Sequence, residues 1–122
     1  MADPGRDGPK KPYDIRERTL EFADAILDVT ARIPSTPEGN VVRNQMADSG
    51  SSVGANVEEA DFALTKAEKR RHFCIARREA GETRFWLKLT SKKRGRQIDV
   101  EPHLNEAVEI IRILSAIIDK LS

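Results

Sequence analysis

The chain is 122 residues long, 39% hydrophobic, 34% charged and 5% aromatic, with a formal net charge of +1. That length fits one domain with a modest core, and so many charges beside so few aromatics favour helices over sheets. One cysteine, Cys74, excludes an internal disulfide and fits a reducing, cytoplasmic setting; the longest apolar stretch, Ile110 to Ile118, is broken by Arg112 and too short to span a membrane, and no signal or transit peptide is recognisable.

Residues 1–12 carry Pro4, Gly5, Gly8, Pro9 and Pro12 among charges. Nothing apolar there offsets the entropy of ordering, which predicts a disordered tail before a single domain over residues 13–122. A first helix is expected from about Asp14 to Ile33, because Ile15, Phe22, Ile26 and Ile33 fall on one helical stripe with Ala23 and Leu27 beside them. Pro34 and Pro37 stop it. A second helix is expected from about Glu38 to Ala63, with Val42, Met46, Ser49, Val53, Asn56 and Ala60 facing inward. Gly50 and Gly54 each weaken that helix by about 1 kcal/mol relative to alanine, so a packing reason is expected for them.

Thr65 to Glu68 reads as a capping box opening a third helix, from about Lys66 to Thr90. Phe73, Ala76, Ala80, Thr83 and Leu87 face one way, and Ser91 to Gly95 ends the helix. The fourth starts near Asp99 or Glu101, with Pro102 suited to a first helical position. Leu104, Ala107, Ile111, Leu114, Ile118 and Leu121 alternate by three and four, a coiled-coil-like seam. Val108, Ile110, Ile113 and Ile117 form a second stripe, wider than one bundle core needs. Ile110, Ile113 and Ile117 are therefore expected at an oligomer interface; the alternative is a wide core face in a monomer. The whole reads as an all-α, antiparallel up-down-up-down four-helix bundle.

Charge is distributed unevenly. Residues 66–96 hold twelve Lys/Arg and three Glu, a net +9, and the rest of the chain carries −8. Lys66, Arg70, Arg77, Arg84 and Lys88 are separated by four, seven, seven and four, so they share a helix face, and Lys92, Lys93, Arg94 and Arg96 extend it. Clustered cations attract phosphates, which makes these nine residues a candidate surface for RNA or DNA. Phe85 and Trp86 are the only aromatic pair near the stripe, so little base-specific reading is expected. The competing reading is a solvated face opposing the acidic first and fourth helices.

Asn56 and Glu59 sit three apart on the second helix, as do Glu79 and Glu82 on the third. A di-iron bundle needs Glu-x-x-His, but Lys69 and Val100 stand three residues before His72 and His103. No metal or cofactor is expected, and Asn56, Glu59 and Glu82 are read as polar groups paired inside the bundle. One enzymatic alternative remains, a ribonuclease using Arg96 and His103, spaced as in some helical ribonucleases.

The stretch Gln45 to Lys88 resembles the four-helix-bundle family of 23S rRNA intervening-sequence proteins, related to the accessory variability determinant of diversity-generating retroelements. The resemblance rests on Ser52, Val53, Gly54, Ala55, Asn56, Val57, Glu58 and Glu59, then Thr65, Phe73 and Glu82, and the helix layout extends it over residues 13–122. Ala60 departs from the family's usual glycine, and Arg77, Arg78 and Arg84 make the third helix more basic than in many members. The resemblance implies a homopentameric barrel. For the retroelement relatives it implies binding to a reverse transcriptase and to nucleic acid, without catalysis by the barrel itself. The expectation is thus a non-catalytic oligomeric accessory or scaffold protein, with itself, nucleic acid and a reverse transcriptase as candidate partners. A purely structural homo-oligomer is the alternative.

Overall fold

In the computed structural model, which describes residues 14–92 and 98–122, four helices follow one another. They are α1 (Ile15–Ala31), α2 (Pro37–Phe62), α3 (Lys66–Lys92) and α4 (Glu101–Lys120). The expected tail over residues 1–12, and Lys93, Arg94 and Arg96, lie outside the described residues. Each helix packs against its neighbours in sequence, α1 also meets α4, and among the described residues the backbones of the diagonal pairs stay more than 8 Å apart, Cα to Cα. Bonds between Ser49 and Thr83 and between Arg77 and Ser115 join neighbours running in opposite directions, as an up-down-up-down bundle requires.

Local signals set the helix ends. The α2 helix begins one residue earlier than its acidic start suggested. Thr36 is the N-cap, its hydroxyl accepting from Gly39 N–H at 3.0 Å, and Pro37 occupies the first turn. At α3 the capping threonine behaves as expected: Thr65 Oγ1 accepts from Glu68 N–H at 3.1 Å. Before α4, Asp99 Oδ1 accepts from Glu101 N–H at 3.1 Å, and Pro102 lies in the first turn.

The core is built from Ile26, Met46, Val53, Leu87, Ile110, Leu114 and Ile118, with Ala76, Ala80 and Ala107 where helices approach. Its polar members are hydroxyls, Thr19, Thr30, Ser49, Thr83 and Thr90. A hydroxyl can be buried there because it bonds its own helix backbone: Thr19 donates to Ile15 O at 2.7 Å and Thr90 to Trp86 O at 2.9 Å. Ser49 and Thr83 also meet each other across the core at 2.9 Å.

Two expectations are corrected by this packing. Asn56, Glu59 and Glu82 do not form a polar core: Glu59 and Glu82 are exposed and Asn56 is half-buried. The inward row of α2 passes through Val53, Val57 and Ala60 and leaves Asn56 on its flank, where Nδ2 donates to Ser52 O at 2.9 Å and Oδ1 sits 3.3 Å from His72 Nδ1. Ile110 is not free for a partner subunit, because it is 0% exposed in its own bundle. The inward row of α4 is Ala107, Ile110, Leu114 and Ile118, while Ile111 lies to one side and Ile113 and Ile117 to the other, half-buried against the same core. Much of the apolar excess of α4 is therefore absorbed within the chain.

Candidate nucleic-acid interface

Three faces of α3 divide its chemistry. Ala76, Ala80, Thr83, Leu87 and Thr90 hold it to the core. Lys66, Arg70, Arg77, Arg84 and Lys88 fall about a quarter-turn away, at the spacing that puts them in one row. This row borders α4, because Arg77 Nη1 donates to Ser115 Oγ at 3.1 Å. Lys66, Arg84, Lys88 and Lys92 are exposed, and Arg70 and Arg77 are half-buried with their stems against the bundle. Arg70 Nη1 lies 4.0 Å from Cys74 Sγ, and its Nε is buried without a hydrogen-bond partner among the described residues.

Across the helix, toward α2, the sign reverses. Burial, then the neighbouring Glu82, push the Glu79 carboxyl above its ordinary value; Asp48 adds to this, and Arg78 opposes it. Glu79 and Glu82 thus lie across the helix from the row of Lys66, Arg70, Arg77, Arg84 and Lys88. Within the chain, among the described residues, no lysine or arginine of α3 forms an ion pair with a carboxylate. Four carboxylates of the other helices are paired away from α3. Arg16 lies 3.6 Å from both Glu58 and Asp61, Arg18 grips Glu106, and Arg112 pairs with Glu109. A row of unpaired cations on a rigid helix can hold a phosphate backbone without reading bases.

A second feature escaped sequence reasoning. Between α1 and α4 opens a groove of about 500 Å³, lined by Asp14, Arg18, Glu21, Phe22, Ala25, His103 and Glu106. Arg18 donates to Glu106 through Nε at 2.7 Å and Nη2 at 2.9 Å, and this bond raises the guanidinium pKa above its ordinary value. Burial, then Arg32, push the His103 imidazole below its usual range, against Asp99 and Asp28. Arg18 and Glu106 are 88 residues apart, so no local spacing announces them. Arg96, offered with His103 as a ribonuclease pair, lies outside the described residues.

Among the described residues no group of three or more His, Cys, Asp or Glu could hold a metal ion, and no helix is long and apolar enough to cross a membrane.

A family model for 23S rRNA-intervening sequence proteins matches residues 11–116, which takes in α1, α2, α3 and most of α4. Among solved structures, the chain is similar to a crystal structure from Bacteroides thetaiotaomicron, of a protein with unknown function from the S23 ribosomal protein family. The two share 31% identity and superpose with a TM-score of 0.74, covering 85% of this chain and 97% of that one. Comparison with curated proteins gave no significant match.

Proposed function

The chain belongs to the family of 23S rRNA-intervening sequence proteins, and on that premise we propose that it is a non-catalytic, self-assembling scaffold whose basic α3 flank engages nucleic acid. The observation that supports this reading is the row Lys66, Arg70, Arg77, Arg84 and Lys88, left without carboxylate partners on a helix fixed by its core face. An assembly would repeat the row and multiply weak contacts through effective concentration. A nucleic-acid enzyme, such as the reverse transcriptase suggested by the retroelement resemblance, would meet the same surface through the nucleic acid it carries.

Fluorescence anisotropy with labelled RNA and duplex DNA over a salt series tests this. Affinity should fall with log salt by roughly 0.9 log units per duplex phosphate contacted. Arg77→Glu with Arg84→Glu should weaken binding to all sequences alike and flatten that slope. No binding at low salt would overturn the reading.

A structural homo-oligomer is the second reading. Its support is exposed apolar surface: Leu20 on α1, and Phe62 and Leu64, the last 95% exposed, at the turn between α2 and α3. Both readings require a mass well above 13.7 kDa by light scattering, and what marks this one is indifference to nucleic acid at low salt.

A further inference from the structure

On the outward side of α3, Arg71, Arg78, Phe85 and Lys92 recur every seven residues, forming a row beside the basic one. Phe85 is 56% exposed, although the core of this bundle holds few aromatics and could have used one. Its ring is held. Trp86 meets it edge-on, with centroids 5.0 Å apart and planes at 78°, and Trp86 Nε1 is itself tied to Glu82 Oε2 at 3.2 Å. A Cβ on Gly81, one turn before Phe85, would meet no atom within 4 Å, so that part of the outward face is open.

An exposed ring, met on its edge by Trp86, with Arg84 next to it in the chain, Lys88 one turn on and Arg78 two turns back, matches what an unpaired base requires. Phosphates would be met by the cations, and the base would lie flat on the ring. Stacking of this kind tolerates any base, because every base has a π-face. Duplex bases are already stacked on each other and cannot use it. Resting on the reading above, we propose that Phe85 is a stacking platform that makes the α3 surface prefer single-stranded nucleic acid to duplex.

The test uses the full chain with three fluorescein-labelled probes of equal length: an oligouridylate, an oligodeoxythymidylate and a duplex DNA. Phe85→Ala should weaken both single strands about tenfold, within the range found for removing one stacked aromatic, and should leave duplex binding and the salt slopes unchanged. Phe85→Tyr should retain the preference. Phe85→Leu, which keeps an apolar side chain for folding, should lose it; helicity by circular dichroism accompanies each variant. Equal loss on single strands and duplex, or no loss, overturns the proposal while the basic-surface reading stands, provided Arg77→Glu with Arg84→Glu still weakens binding to all probes and flattens the salt slope. A drop in assembly mass with Phe85→Ala and unaltered binding assigns the ring to contact between copies and also overturns it. Absence of binding by the unaltered protein at low salt overturns both. Tighter binding of the oligouridylate than of the oligodeoxythymidylate supports the proposal with RNA as the ligand, and the reverse order supports it with DNA.

Discussion

Helix α1 meets its two neighbours in opposite ways. Against α2 the backbones close up, because Gly50 and Gly54 remove the side chains that would hold them apart. A Cβ on Gly50 would stand 2.7 Å from Ile26 Cγ2, and one on Gly54 would stand 3.3 Å from the Thr19 carbonyl oxygen. Against α4 the contact is the sparsest of the bundle, and a groove opens over Phe22 and Ala25. Steric fit seals the first seam, and the Arg18–Glu106 pair spans the second. The first should answer to volume and the second to charge.

Gly50→Leu should break the tight seam and carry the largest penalty, about 3 kcal/mol, the upper end for overfilling a packed core. Ile26 is β-branched and fully buried, so its Cγ2 cannot swing aside. Gly54→Ala sharpens the point: its neighbour must give only a few tenths of an ångström, and the gain in helix propensity of about 1 kcal/mol offsets that cost, so its unfolding midpoint should stay near the original. Urea unfolding of the two variants separates a seam set by volume from one set by propensity. In the open seam, Arg18→Met should cost about 1 kcal/mol, because the pair is bidentate yet a quarter to a third exposed, and Glu106→Gln should cost about the same. The double variant should cost no more than either alone, and additive losses would show that the two groups are not coupled.

This contrast also marks what the sequence made legible. The helices, their order and the glycine-bearing second helix followed from apolar spacing, prolines and the Thr65 cap, because those signals act within a few residues. The basic row was legible for the same reason: Lys66, Arg70, Arg77, Arg84 and Lys88 occupy one helix. The inward rows were harder. On α4 a heptad-like count chose Ile111, whereas the core takes Ile110, since a short helix in a compact bundle keeps a period nearer 3.6 than 3.5. On α2 the same shift favoured Asn56 over Val57. The α1–α4 groove was invisible, because Arg18, His103 and Glu106 come together only when the first and last helices close the bundle.

The smallest expected effect concerns His103, and it checks whether the open seam responds to pH. Burial and Arg32 depress its folded pKa below the unfolded value of 6.5, more than Asp99 and Asp28 restore it. The folded state therefore binds a proton less readily than the unfolded chain. Stability is fully present above about pH 6.5, declines as the pH falls from there to the depressed folded value, and levels off below it, where both states are protonated. His103→Gln keeps a polar side chain of similar reach but cannot titrate. Urea midpoints of the original and the variant, compared from about pH 7.5 to about pH 5, should converge as the pH falls, because only the original loses stability to this proton. Curves that stay parallel would mean that His103 titrates as it does in the unfolded chain, and the α1–α4 seam would then be wet enough to solvate a charge.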